Sequence, residues 1–327
     1  MKKPLLIILS VAAALLLMLL SGCADKNGAQ KMTEKKISPP EKLSYISSIS
    51  WENDSLYLCG VKKHGERNIS VLCFRTKDDG KSWESVWKEK YTAPPGMARL
   101  EATADFHAGQ IWVSWSYLRQ ENLSGAFTDE SALYDLKKGI IGRASGDKAR
   151  TILQAGLSGS SRIFTATPEY QFRSCDYRTG KVKDISLKDC SGVADIAQSG
   201  NILYLKGLNG GAACCDAGTG KQVSVGKIAG ALFQYMDKQK AVGNEREYAV
   251  YSSDSEEIAG FYLDRNGIMR FTEDGSQRLA DKEDVSFGNK DITFVDSAAK
   301  DSSTIYASVY SSSGDSCSLY RYTLKEK

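Results

Sequence analysis

Cys175-Asp-Tyr-Arg-Thr-Gly-Lys-Val182 and Cys215-Asp-Ala-Gly-Thr-Gly-Lys-Gln-Val223 share the pattern Cys-Asp-x-x-Thr-Gly-Lys and begin 40 residues apart. Each is a short apolar run, a polar turn and the start of a return run, so each reads as a hairpin. A hairpin that recurs at this interval suits the four-stranded blade of a β-propeller.

Working outward, the runs that precede these hairpins also recur. Ser48-Ile-Ser-Trp-Glu-Asn-Asp-Ser-Leu-Tyr-Leu58 matches Thr103-Ala-Asp-Phe-His-Ala-Gly-Gln-Ile-Trp-Val113 in order of residue types. Val193-Ala-Asp-Ile-Ala-Gln-Ser-Gly-Asn-Ile-Leu-Tyr-Leu205 is a third copy, and residues 292–307 are a looser fourth. The runs are rich in Val, Ile, Tyr, Phe, Trp and Thr, each closed by Asn, Asp or Gly, with no long helical periodicity. The chain is therefore read as all-β, with on the order of twenty short antiparallel strands about a central axis and almost no helix beyond residue 44. About six units follow one another, at 44–92, 99–148, 150–189, 191–228, 230–281 and 284–324, and seven blades remain an alternative. Stacked sandwiches could use the same strands, but a closed ring leaves only short, protected edges.

Thr76-Lys-Asp-Asp-Gly-Lys-Ser-Trp83 is a turn with its own logic. Asp78 can accept backbone N–H groups across a tight turn, Gly80 supplies the positive φ, and Trp83 covers the hairpin with an apolar face. Thr76, Asp78, Gly80, Ser82 and Trp83 occupy the defining positions of the Asp-box, and the segment resembles that bacterial neuraminidase repeat. The resemblance implies a turn between the two outer strands of a propeller blade, and a structural role for these residues. Thr272-Glu-Asp-Gly275 starts like a second box but lacks the closing Trp. The hairpins at 176–181 and 216–221 also look like repeats of quinoprotein-type propellers, yet the Trp that ends those repeats is missing, so no quinone is implied.

At the N-terminus, Lys2 and Lys3 precede an apolar run from Leu5 to Leu20, which ends in Leu20-Ser-Gly-Cys23. The order resembles a bacterial lipoprotein signal. That resemblance implies loss of residues 1–22, a diacylglyceryl group on the Cys23 thiol and an acyl chain such as palmitate on its new amino terminus. Two or more chains give stable anchoring, so the expected place is the extracytoplasmic face of a cell membrane. An ordinary signal peptide or an uncleaved anchor is the alternative. Residues 23–43 are polar, carry Pro39-Pro40 and read as a flexible tether, with the propeller over 44–327. Lys31, Lys35 and Lys36 lie where basic side chains favour anionic headgroups.

The 43 basic and 40 acidic side chains nearly balance, which argues against a nucleic-acid partner. Besides Cys23 there are Cys59, Cys73, Cys175, Cys190, Cys214, Cys215 and Cys317, an odd set that cannot all pair within the chain. A hairpin centred near Glu66 or Arg67 places Cys59 almost opposite Cys73, so they are either a cross-strand disulfide or two buried thiols. No cysteine spacing fits zinc, and the two histidines, His64 and His107, stand in expected turns, so no metal site and no cofactor are read. Asp105 could pair with His107.

A sialidase-like site needs an arginine triad, and the arginines at 99, 119, 143, 150, 162, 173 and 178 fall mostly in expected turns. Trp51, Trp83, Trp87, Trp112 and Trp115 all lie in the first two units, as an aromatic platform or as packing between blades. Trp112 and Trp115 should point to opposite faces. The reading is a lipid-anchored propeller that binds or scaffolds at the cell envelope, with an envelope protein or a glycan as partner and no catalytic residues assigned. A glycan-active hydrolase of Asp-box type, and an envelope sensor or assembly factor, are the alternatives.

Overall fold

The computed structural model describes residues 32–119, 128–145, 155–166, 170–208, 210–239, 245–253, 256–287, 292–311 and 316–325. Among them are 24 strands in six four-stranded antiparallel sheets. The first sheet is β2 (Tyr45–Glu52), β3 (Ser55–Lys63), β4 (Asn68–Thr76) and β5 (Glu84–Thr92); the second is β6 (Met97–His107), β7 (Gln110–Arg119), β8 (Thr128–Asp135) and β9 (Gly139–Ser145). The third runs β10 (Ala155–Leu157), β11 (Arg162–Ala166), β12 (Phe172–Asp176) and β13 (Lys181–Asp184), and the fourth β14 (Val193–Ser199), β15 (Ile202–Gly207), β16 (Ala212–Asp216) and β17 (Gln222–Val223). The fifth is β18 (Arg246–Ser253), β19 (Glu256–Asp264), β20 (Gly267–Thr272) and β21 (Gly275–Asp281).

The sixth sheet is built from both ends of the chain. β22 (Ile292–Ala299), β23 (Thr304–Ser311) and β24 (Ser316–Leu324) are followed at the outer edge by β1 (Met32–Ile37), which pairs antiparallel to β24 from Met32↔Leu324 to Ile37↔Leu319. The first strands touch in the cyclic order β2, β6, β10, β14, β18, β22 and back to β2, so the sheets close into a six-bladed propeller.

Burial follows from position in the blade. The second and third strands carry near-continuous apolar runs because both their faces are covered by neighbouring blades: β3 is buried from Ser55 to Val61, and β4 from Ile69 to Phe74. Outer strands such as β9 and β13 are largely exposed. Six separate apolar layers result, one at each blade junction. Tyr57, Val71, Leu100 and Val113 share the layer between the first two blades, whereas Ile49, Leu58, Tyr306 and Leu319 share the layer at the closing seam.

Two features depart from the sequence reading. The tether expected over 23–43 is cut short, since Met32–Ile37 is a strand and Ile37 is buried in the seam layer. Its polar composition suits an edge strand with one solvated face, which is why it reads as linker. Beyond residue 44 there is also a helix, α1 (Lys227–Lys238), between β17 and β18. Ile228, Ala229, Leu232, Phe233 and Met236 form its buried stripe against β19 and β20. Gly226 at its N-cap has no side-chain bond, and the Glu257 carboxylate of β19 supplies the acceptor, taking the Ala229 N–H at 2.7 Å.

Candidate functional site

The six first strands enclose a central channel with a cavity of about 1150 Å³. Four of them bring a carboxylate to its wall: Asp105 from β6, Asp195 from β14, Glu247 from β18 and Asp296 from β22. Among the described residues β2 and β10 bring none. Asp105, Asp195 and Asp296 are half-buried, reachable from the channel and enclosed on their other sides, and Glu247 is buried.

Burial pushes the Asp105 carboxyl up to about 7, although the Ala155 backbone N–H and the Ser48 hydroxyl beside it work the other way. Glu247 is raised well above the ordinary range, first by burial and then by the charges of Asp195 and Asp296. Asp296 is raised by burial and by Asp105 and Asp195, against the Ile49 and Ser297 N–H groups it accepts at 2.7 and 2.8 Å. These acids therefore feel one another across the channel.

The same wall is laced together by polar side chains that reach from one blade to the next. The Tyr45 hydroxyl donates to the Ala102 carbonyl at 2.6 Å, and Ser48 donates to the Ala104 carbonyl at 2.7 Å, joining β2 to β6. Asp105 joins β6 to β10 through Ala155. Gln198 grips both backbone groups of Leu157 between β10 and β14, Ser199 accepts the Ser252 N–H between β14 and β18, and Asp296 joins β22 to β2. Backbone groups at the inner edges of the first, second, third and fifth sheets are thereby satisfied.

Two basic groups reach this wall. Arg246 lines it beside Glu247, and Lys206, only 2% exposed, gives its Nζ to the Gly211 carbonyl and to the Asp237 carboxylate of α1. At the rim, Tyr170 and Leu208 are 40% and 48% exposed and flank Gly192. The mouth thus combines acids with two large apolar side chains open to solvent.

The segment 76–83 forms the β4–β5 turn, between the two outer strands of the first blade. Asp78 Oδ1 accepts the Thr76 hydroxyl at 2.8 Å and the Ser82 N–H at 2.9 Å, and its Oδ2 accepts the Ser82 hydroxyl at 2.5 Å. The Ser82 hydroxyl and N–H, then the Thr76 hydroxyl, hold Asp78 far below the usual carboxylate range. Gly80 has φ +81°, and a Cβ there would lie 2.2 Å from Ile37, so the turn sits directly on the closing strand. Trp83 is half-buried and donates Nε1–H to the Ser38 carbonyl at 3.1 Å. All of this lies away from the channel wall.

The remaining candidates are dispersed. Cys59 and Cys73 stand directly opposite on β3 and β4, buried and as free thiols, with burial pushing Cys73 up. Cys23 lies outside the described residues. His107 Nδ1 pairs with Glu52 of β2, not with Asp105. Arg246 is the channel-lining arginine among the described residues, and it is none of those weighed for a triad. Trp112 and Trp115 do face opposite layers, Trp112 between the second and third blades and Trp115 between the first and second. Trp51 alone of the five lines the channel, stacked on Tyr306 with Lys300 Nζ 4.8 Å from its ring centroid.

Sequence reasoning missed Asp195, Glu247 and Asp296. A signal was present, since Ala104-Asp105-Phe106 and Ala194-Asp195-Ile196 occupy the same place in two repeats.

No protein-family model matches the chain, and no curated protein does. Among solved structures it is similar to the Pan2 WD40 domain of Neurospora crassa, at 10% identity, a TM-score of 0.44, and coverage of 91% of this chain and 97% of that one. It is also similar to YCF48 bound to D1 peptide (10% identity, TM-score 0.43, 90% and 97% covered) and to YCF48 from Cyanidioschyzon merolae (13%, 0.40, 89% and 85%). Function is therefore read from this chain's own side chains.

Proposed function

We propose that the protein is a lipid-anchored, extracytoplasmic β-propeller that binds or scaffolds a partner at the cell envelope through its channel mouth. The observation that carries the binding half is the mouth itself, a channel of about 1150 Å³ with convergent carboxylates and the exposed pair Tyr170 and Leu208 at its rim. Anchoring rests on the Leu20-Ser-Gly-Cys23 pattern. Pull-down from envelope extracts with wild type and with Tyr170→Ala/Leu208→Ser tests the first half; equal capture by both removes the mouth from the reading. Membrane fractionation of Cys23→Ser tests the second. The variant should leave the membrane fraction, and retention with residues 1–22 attached makes the apolar run a plain anchor.

One observation favours a second reading, a glycan-active hydrolase. Asp105 stays protonated close to neutrality among other carboxylates, which is what a general acid needs. Turnover of sialosides or aryl glycosides that disappears in Asp105→Asn while the melting temperature holds would establish it.

A further inference from the structure

The first strands are held to one another largely by side chains, and two of those side chains are carboxylates. Asp296 Oδ2 takes the Ile49 N–H at 2.7 Å, across the seam between the last blade and the first. Asp105 lies beside the Ala155 N–H, which lowers its carboxyl, between the second and third blades. Each spans a blade junction, and Asp296 is raised further by the charges of Asp105 and Asp195.

We propose that Asp105, Asp195, Glu247 and Asp296 act as one proton-sharing group at the hub of the ring, so that proton uptake from solvent tightens the six-bladed closure and proton loss loosens it. This goes beyond a binding role and does not depend on it.

The charged and titratable groups that face the cluster decide the sign. From β2 come Tyr45, whose hydroxyl is raised by burial and is neutral in this range, and no carboxylate. β6 adds His107 beside Asp105, but its ring is engaged by Glu52. β10 presents the apolar Ala155 and Leu157, and the titratable residue of β14 on the wall is Asp195. Behind β14, the Lys206 ammonium is taken by Asp237. On β18 Arg246 stands next to Glu247 and is the one cation on the wall not committed to another carboxylate by a salt bridge among the described residues. β22 brings Asp296. Four acids thus face one such guanidinium, and full ionisation leaves net repulsion at close range in a partly desolvated hub.

The linkage follows. Burial raises Asp105 to about 7 and Glu247 and Asp296 well above their ordinary values, so the folded ring holds protons that the unfolded chain has released. Stability from this source is complete below the unfolded carboxylate values, near pH 4, and is lost progressively as pH rises from there through the folded ones, for Asp105 by about 7 and for Glu247 and Asp296 through their own raised values.

Two measurements on the full chain without residues 1–22 test it. Infrared titration should show the carbonyl band of protonated carboxylic acids persisting at neutral pH, and Asp105→Asn and Asp296→Asn should each reduce it. Thermal melting should give a Tm at least about 3 °C higher near pH 5.5 than near pH 8.5, and the double variant Asp105→Asn/Asp296→Asn should cut that difference by half or more, chiefly by raising Tm at the alkaline end. Absence of a protonated carboxyl band at neutral pH overturns the proposal, as does a pH difference unchanged in the variants. Should a variant fail to fold, the wild-type band decides alone.

Discussion

Asp79 and Tyr306, 227 residues apart in the chain, meet where the ring closes, the phenol of β23 donating to the carboxylate of the β4–β5 turn. The same carboxylate takes Arg321 of β24 and has Lys300 Nζ at 3.8 Å. Burial alone would raise Asp79, but the Tyr306 hydroxyl and the charges of Lys300 and Arg321 outweigh it and hold it below the usual range. One turn of the first blade is thereby bolted to two strands of the last. Asp79→Ala should cost about 1–2 kcal/mol, at the low end for charge-assisted bonds because the side chains are a quarter exposed. Urea denaturation reads it, with exposed Glu66→Ala as the control near zero.

The closing strand is the second handle on the seam. Ile37 is 2% exposed beneath Gly80, so Ile37→Ala should cost about 2–4 kcal/mol. Deleting residues 32–37 should do more than destabilise. It bares the long edge of β24, and light scattering after size-exclusion should then find oligomers.

Among the tryptophans, cost should track enclosure. Trp112 is fully buried and gives its Nε1–H to the Tyr177 hydroxyl at 2.7 Å, so Trp112→Ala should lose about 3–5 kcal/mol. Half-buried Trp83 should lose only about 1–2 kcal/mol, below the value for a packed aromatic. Tyr177→Phe isolates both the indole N–H and the Ser131 hydroxyl, which the Tyr177 oxygen also meets at 2.6 Å, and about 1–3 kcal/mol is expected. Equal losses for Trp83 and Trp112 would contradict this ordering.

On the acid side, Asp78 works opposite to the hub. Its carboxyl is held down by Ser82 and Thr76, so its contribution is present above the unfolded value of about 3.9 and is lost as pH falls below it. Asp78→Asn should flatten the acid limb of a stability profile and leave the alkaline limb alone. A variant that alters the alkaline limb instead would show the turn to be coupled to the channel.

The ring was legible because its period was. The unit drawn at 44–92 encloses the sheet Tyr45–Thr92, and the one at 99–148 takes in all but the first two residues of Met97–Ser145, since each blade repeats one order of apolar run and turn. α1 was overlooked although Ile228, Leu232, Phe233 and Met236 carry helical spacing, because the segment straddles the boundary drawn between the units 191–228 and 230–281, where only strands and turns were expected. β1 could not be found locally, since Met32-Thr-Glu-Lys-Lys-Ile37 becomes a strand only against a partner almost 300 residues downstream. The channel acids were hidden for a related reason: a single Asp in an apolar strand resembles a turn residue until five other strands surround it.

Thr33 bonds the carbonyl of Thr323 across a separation of 290 residues, a figure that bears on how the molecule is made. A chain growing at roughly 5–20 residues per second must hold its earliest strand unpaired for tens of seconds until its last one is produced. Local hairpins can form meanwhile, but the final ring-sealing event has very high contact order and waits for the end of synthesis. A product cut short before β24 has no place for β1. Completion of the ring therefore serves as a built-in check on chain length, and truncated copies should present an open blade to proteolysis.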